Sequence, residues 1–185
     1  MAREPVILLR SAPATLIPQG EGVLIPEGTW LVVQQSLGGS FTVMDERGQL
    51  LRIDGKDADA LGEKFRAEAE KAAAARAGSL EGPFDEAKLW QALGEVYDPE
   101  IPSSIVELGL IYSVAHEPAE GGQRVLVHMT LTAPGCGVGP VLVDDVKRAC
   151  LSVPGVKQAD VELVFDPPWD PSRMSEAARL QLGML

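Results

Sequence analysis

Cys136 is the residue whose type and position could carry chemistry. It lies in the stretch TLTAPGCG, Thr130–Gly137, between a strand-like run at 124–132 and a helix-like run at 138–151. A cysteine at such a turn lies close to the partial positive charge of a helix N-terminus, which favours the thiolate over the thiol. The position therefore predicts a thiol that binds a metal or a partner. The alternative is a small buried cysteine in a tight turn.

Glycines surround this thiol. Gly135, Gly137 and Gly139 lack side chains, so we expect a metal, a cluster or a partner's backbone to approach the sulfur closely. Pro140 suits the first turn of the following helix, where no backbone donor is needed.

The second cysteine, Cys150, has a different pattern around it. It belongs to an apolar stripe of helical spacing, which is typical of the buried face of an amphipathic helix. The stripe consists of Val138, Val141 or Leu142, Val146, Ala149 and Cys150. We expect Cys150 in the core. The two cysteines are about four helical turns apart, roughly 20 Å, which excludes a disulfide between them within one chain.

The two histidines and Trp169 give weaker signals. His128 falls on the same strand face as Thr130 and Thr132, where it could support a site, although a surface or core histidine is the commoner case. His116 is expected in a loop or at a strand end. Trp169 is expected to anchor the C-terminal helix.

A thiolate with nearby carboxylates can hold Fe or Zn, but one cysteine and one histidine cannot build a closed structural metal site in one protomer. A cluster needs about four ligands, usually cysteines. Two protomers of a homodimer could share it, exogenous thiols could complete it, or Cys136 could only dock a partner. A thiol enzyme would need a general base beside Cys136. Neither histidine lies in a motif and there is no CxxC pair, so an enzyme is not favoured.

Composition limits the other classes. The 185 residues carry a net charge of −11, of which 80–185 hold −9, so binding to phosphate backbones is unfavourable there. The sequence has no run of 18 apolar residues, so it predicts no membrane span. The N-terminus is a poor signal peptide. Two cysteines without a disulfide framework fit the reducing cytoplasm.

The patterning divides the chain into three parts. Residues 1–60 predict a small all-β domain, barrel or sandwich, from five strand-like runs at 5–9, 22–25, 29–33, 41–44 and 49–53. Residues 61–79 are rich in alanine and charge, which predicts a solvated helical linker. We place a domain boundary near residue 79.

Residues 80–185 predict an α+β domain. Asp85 could cap a helix over 86–97, and strands follow at 110–116 and 124–132. After the helix that carries Cys150, a strand is expected at 156–165 and a short helix at 172–182. The order α-β-β-α-β-α implies a three-stranded sheet with helices on one face.

Three segments of this domain resemble the family of iron–sulfur assembly domains that includes PaaD-like proteins. They are YDPEIP at 97–102, IVELGLIY at 105–112 and TAPGC at 132–136. The tail, DPPW at 166–169 followed by the run at 174–183, is similar to that of the SufT type.

The resemblance implies specific residues. The family's acidic-Pro-Glu motif falls on Asp98, Pro99 and Glu100, and its second acidic position falls on Glu107. Its threonine falls on Thr132 and its cysteine on Cys136. This chain departs from the pattern at Ala133, where many relatives have a second threonine, at the Ser103-Ser104 pair, and in having Glu rather than Asp at 107.

The implied function is an accessory role in iron–sulfur cluster assembly and maturation. Cys136 would be a transient cluster or metal ligand, or a partner-docking thiol, with Thr132, Asp98, Glu100 and Glu107 in the same binding site. The partners would be the assembly machinery and client apo-proteins, and no permanent cofactor is expected. The alternatives are a metal-free interaction module with a structural Cys136 and, less favoured, a thiol enzyme.

Overall fold

The computed structural model describes residues 4–79 and 83–184, with the backbone alone for 75–79. The chain separates into two compact units, Met1–Arg76 and Ala77–Leu185, which are described one at a time.

The first unit is built on a six-stranded antiparallel sheet. Its strands are β1 (Glu4–Ile7), β2 (Ala12–Ile17), β3 (Gly22–Ile25), β4 (Trp30–Leu37), β5 (Ser40–Asp45) and β6 (Leu50–Asp54). Their order across the sheet is β1-β4-β5-β6-β2-β3. Five of these strands match the predicted runs.

Strand β2 is the one that sequence patterning missed. Proline inside a run argues against a central strand, because it lacks a backbone donor. Here Pro13 pairs only with Leu24 of β3, while the pairing of β2 with β6 begins at Thr15. Pro13 therefore lies beyond the end of the β6 ladder, where its missing N–H costs no bond to that strand.

A helix follows this sheet and is partly built into its core. After a short 3-10 helix at Gly55–Leu61, α1 runs over Glu63–Ser79. Phe65 and Ala69 are buried, and the Phe65 ring meets Phe41 edge-on, with centroids 5.6 Å apart. The first turns of α1 are therefore packed against the first unit, whereas a solvated spacer was expected over 61–79.

The second unit has an α+β architecture. Its elements are α2 (Glu86–Gly94), β7 (Ile111–Ala119), β8 (Gly122–Met129), α3 (Gly139–Ser152), β9 (Val156–Leu163) and α4 (Glu176–Gln181). The sheet order is β7-β8-β9, with β7 antiparallel and β9 parallel to β8. Because α3 connects two parallel neighbours, its first turn and the carboxyl ends of β8 and β9 lie at the same end of the sheet.

Helix α2 begins as predicted and ends early. The Asp85 side chain caps it by accepting a 2.9 Å hydrogen bond from the Ala87 N–H. The predicted continuation to residue 97 is wrong, because Tyr97 forms an antiparallel β-bridge with Ser104 instead. This bridge closes the loop that contains the acidic-Pro-Glu motif.

One core holds the second unit together. Inward-facing residues of β8 pack with the apolar faces of α2 and α3. The fully buried residues of this core include Leu89, Leu93, Val125, Val127, Met129, Leu142, Val146 and Cys150. Cys150 is 0% exposed, which confirms its predicted place in the core. Among the described residues, no helix is long and apolar enough to cross a membrane.

Candidate functional site

Cys136 lies in a turn between the carboxyl end of β8 and the start of α3. Gly135 makes the turn with φ = +81°, a conformation that favours glycine. The Cys136 N–H donates to the Ala133 carbonyl at 3.3 Å, and its own carbonyl accepts from the Gly139 N–H at 3.1 Å. The thiol is free and half-buried. It lies three residues before the first residue of α3, so the predicted position just outside the helix is confirmed.

Gly139 has a packing role in addition to the one expected. It is buried, and a Cβ there would lie 2.9 Å from Leu131 Cδ1 and 3.6 Å from Leu163 Cδ1. The missing side chain thus lets the start of α3 pack closely on the strand ends. Gly139 therefore also sets the position of the turn that carries Cys136.

Backbone pairing brings the second and third motif segments to this same end of the sheet. The Thr130 N–H donates to the Leu110 carbonyl at 2.8 Å, and the Val164 N–H donates to the Met129 carbonyl at 2.8 Å. The chain leading to Cys136 is therefore hydrogen-bonded directly to the end of the IVELGLIY segment. We call residues 98–109, which precede β7, the acidic loop.

Asp98 organises the start of the acidic loop. It is 5% exposed, and its Oδ1 accepts hydrogen bonds from the Glu100 N–H at 2.8 Å and the Ile101 N–H at 2.9 Å. Burial raises the pKa of Asp98, although these two hydrogen bonds act in the opposite direction. Asp98 is therefore a buried carboxyl that shapes the turn.

Glu100 is the exposed member of this motif. Partial desolvation, followed by the nearby charge of Asp98, raises the pKa of Glu100. Its carboxylate is in a position to meet a cation or a partner from solvent.

Glu107 is held by residues near the C-terminus. Its carboxylate accepts a hydrogen bond from the Ser175 hydroxyl, and its carbonyl accepts one from the Ser175 N–H at 2.9 Å. Its own N–H donates to Ser104 Oγ at 3.2 Å. Sequence reasoning placed Glu107 in one site with Cys136 but could not detect this partner 68 residues later.

The C-terminal segment, residues 166–182, packs along the acidic loop. Trp169 Nε1 donates to the Leu108 carbonyl at 2.9 Å, and Gln181 Nε2 donates to the Pro102 carbonyl at 2.8 Å. The Tyr112 hydroxyl donates to the Pro167 carbonyl at 2.8 Å. Trp169, expected to anchor the C-terminal helix, ties the segment that precedes this helix to Leu108.

The remaining polar residues do not complete a ligand set. Thr132 is half-buried in the bend before Cys136. His128 lies on the outer face of the sheet, with Nδ1 3.0 Å from Ser113 Oγ and Nε2 3.5 Å from the Glu162 carboxylate. Across 4–79 and 83–184, no three His, Cys, Asp or Glu side chains meet in a group that could hold a metal ion. Among the described residues the predicted site residues therefore form no closed metal site, and their grouping into one binding site stays a prediction.

Comparisons with known proteins agree with the motifs. The sequence model of a family described as "Iron-sulfur cluster assembly protein" matches residues 86–163. A relative from Porphyromonas gingivalis, named "Fe-S protein maturation auxiliary factor", is 47% identical over 93 residues, which are 50% of this chain and 86% of the relative.

Two further relatives carry similar names. "Fe-S protein maturation auxiliary factor YitW" from Bacillus subtilis is 44% identical over 50% of this chain and 88% of its own length. "Fe-S protein maturation auxiliary factor SufT" from Staphylococcus aureus is 40% identical over 48% of this chain and 98% of its own length. These matches confirm the resemblance to the assembly-domain family and to its SufT type.

The family match has clear limits along the chain. It includes Asp98, Glu100, Glu107, Thr132 and Cys136, and it ends before the C-terminal segment. It also leaves out the whole of the first unit. In agreement, 48% of this chain covers 98% of the relative from Staphylococcus aureus.

Proposed function

This chain belongs to the family of iron–sulfur cluster assembly proteins, and from that premise we propose that it is an auxiliary factor in the maturation of iron–sulfur proteins. The observation that carries the proposal is the free, half-buried thiol of Cys136, in a turn that follows the hydrogen bond from the Thr130 N–H to the Leu110 carbonyl just after the acidic loop. The described residues hold no set of three metal-binding side chains. In this proposal the cluster is cargo, and Cys136 is a transient ligand to it.

The number of ligands explains why binding would be transient. A cluster takes about four ligands, and one thiolate provides one of them. The others must come from a donor, a client apo-protein, small thiols or a second copy of this chain. A cargo held so weakly by this protein passes readily to a client that offers a full set of cysteines. In this proposal the partners are assembly proteins and apo-clients, and neither a resident cofactor nor enzymatic activity is involved. We place them in the cytoplasm, since two cysteines without a disulfide framework fit a reducing compartment.

The polar residues around Cys136 have distinct roles in this proposal. Asp98 holds the amides of Glu100 and Ile101, so it shapes the loop from within. Glu100 and Glu107 present carboxylates to iron or to a cationic group on a partner. Thr132 flanks the Cys136 turn and completes the binding surface.

Cluster transfer tests the proposal directly. The full chain would be mixed anaerobically with a glutathione-ligated two-iron cluster and an apo-ferredoxin, and the transfer rate followed by circular dichroism. The wild type should accelerate transfer, and Cys136→Ser should abolish the acceleration without unfolding the protein. Cys150→Ser is the matched control: it should transfer normally but lose roughly 1–3 kcal/mol of stability, because it buries a hydroxyl.

A metal-free interaction module is the second candidate, and it is favoured by the lack of three converging ligands among the described residues. Absorbance between roughly 320 and 420 nm after anaerobic reconstitution distinguishes the two, because cysteine-ligated clusters absorb there. Featureless spectra together with full activity of Cys136→Ser would favour the interaction module.

A further inference from the structure

The C-terminal segment lies outside residues 86–163, which the family model matches, and its polar contacts are directed at the acidic loop. The carbonyls of Pro102, Glu107 and Leu108 accept hydrogen bonds from Gln181, Ser175 and Trp169 respectively. The acidic loop pairs part of its backbone internally, for example the Leu108 N–H with the Ser104 carbonyl, but these three carbonyls have donors from outside the loop. The C-terminal segment supplies them.

Ser175 makes two side-chain hydrogen bonds of different kinds. Its Oγ accepts from the Ala178 N–H at 3.0 Å, which caps α4. The same hydroxyl donates to the Glu107 carboxylate. The first bond stabilises the segment itself, whereas the second fixes a carboxylate on the surface of the acidic loop.

We propose that Ser175 is a positioning residue for Glu107, so that the C-terminal segment holds the acidic loop in the geometry used for cluster delivery. The inference rests on the proposed function. An exposed glutamate samples several rotamers. A hydrogen bond from a hydroxyl to its charged oxygen, added to the backbone bond between the same two residues, restricts it to one.

Substitutions at residue 175 can separate its capping of α4 from its hydrogen bond to Glu107. Ser175→Thr keeps both the cap and the donor. Ser175→Asp keeps the cap, because aspartate is as good an N-cap as serine. It removes the donor, however, and places a second carboxylate beside Glu107. Ser175→Ala removes both bonds.

The first measurement is amide hydrogen exchange in the full chain. In Ser175→Asp, the amides of Glu107, Leu108 and Gly109 should exchange roughly tenfold faster, since a hydrogen bond to a charged group is lost. Ser175→Thr should match the wild type, and core amides such as that of Val127 should be unchanged in both variants. Unchanged exchange at 107–109 in Ser175→Asp would overturn the positioning role.

The second measurement is the transfer assay with the same variants. At a temperature where both proteins are fully folded, Ser175→Asp should transfer roughly tenfold more slowly than the wild type, and Ser175→Thr should restore the rate. Ala177→Asp is the control for added charge, since it places a carboxylate on an exposed residue of the same helix. Normal transfer by Ser175→Asp, or equal slowing by Ala177→Asp, would refute the proposal.

The two measurements separate the two hypotheses. If Cys136→Ser transfers as fast as the wild type, the proposed function fails, and the exchange data still decide whether Ser175 holds Glu107. If Cys136→Ser is inactive and Ser175→Asp is fully active, the function stands and the positioning role is wrong.

Discussion

Gly109 lies directly against the backbone of Arg173. A Cβ at position 109 would come within 2.3 Å of the Arg173 carbonyl oxygen, and Gly109 has φ = +67°. The acidic loop and the C-terminal segment therefore approach each other more closely than any side chain at 109 would allow.

Gly109→Ala should destabilise the second unit strongly, by about 3 kcal/mol or more, because a backbone carbonyl cannot move aside as a side chain can. Gly135→Ala is the matched control. Its φ is also positive, at +81°, but nothing lies within 4 Å of the added Cβ, so it should lose only about 1 kcal/mol. Urea denaturation of both variants measures the difference, and equal losses would show that the close approach to Arg173 is unimportant.

Trp169→Phe should lower the free energy of unfolding by about 1 kcal/mol, because the Leu108 carbonyl loses its indole donor while the aromatic packing remains. Trp90→Phe, at a tryptophan on α2 that is 39% exposed, should change stability by less than about 0.5 kcal/mol. Chemical denaturation followed by circular dichroism compares the two. A larger loss for Trp90→Phe would mean that Trp169 does not anchor the segment.

The two cysteines should differ in their reaction with iodoacetamide. Cys150 is 0% exposed and burial raises its pKa to about 12, so it should stay unlabelled in the native protein near neutral pH. Half-buried Cys136 should be labelled. Mass spectrometry before and after unfolding in guanidinium gives the sites, and rapid labelling of native Cys150 would contradict its core position.

The raised pKa of Cys150 also predicts a pH dependence. The folded state holds this proton more tightly than the unfolded state. Its contribution to stability is therefore complete below the unfolded pKa of 9.0 and is lost as the pH rises toward about 12. Cys150→Ala should show a smaller alkaline loss of stability than the wild type, as measured by thermal melts between about pH 8 and 11.

Asp98 should make the protein more stable in mild acid. Since burial raises its pKa, the folded state binds the proton more tightly, and this contribution is lost as the pH rises through the raised value. Asp98→Asn keeps an oxygen for the amides of Glu100 and Ile101, so it should remove this dependence and be at least as stable at pH 7. Asp98→Ala should lose about 1–3 kcal/mol. Melting curves from about pH 4 to 8 test both, and an identical profile for wild type and Asn variant would refute the assignment.

A fragment of residues 80–185 should fold alone, because the buried residues of the second unit form a hydrophobic core of their own. It should unfold in one cooperative transition. A molten or insoluble fragment would show that the predicted boundary near residue 79 is misplaced.

Local features of this protein could be predicted from its sequence. Cysteine between glycines after a strand predicted the Cys136 turn, and a 3.6-residue apolar period predicted the buried place of Cys150. Such features depend on residues close together in the chain, so patterning detects them. The same reasoning missed β2, which contains Pro13. A proline fits there because the pairing of β2 with β6 does not extend to residue 13, and this depends on a distant strand.

Contacts between distant groups became visible only in the folded chain. The hydroxyl of Ser175 on Glu107, the indole of Trp169 on Leu108 and the carbonyl of Arg173 against Gly109 join positions more than 60 residues apart. No periodicity or propensity encodes such pairs, because they arise when a shared hydrophobic core brings separate segments together. For the same reason, Cys136 and the carboxylates were placed in one site from the sequence, while their arrangement without a closed metal-binding group became visible only in the fold.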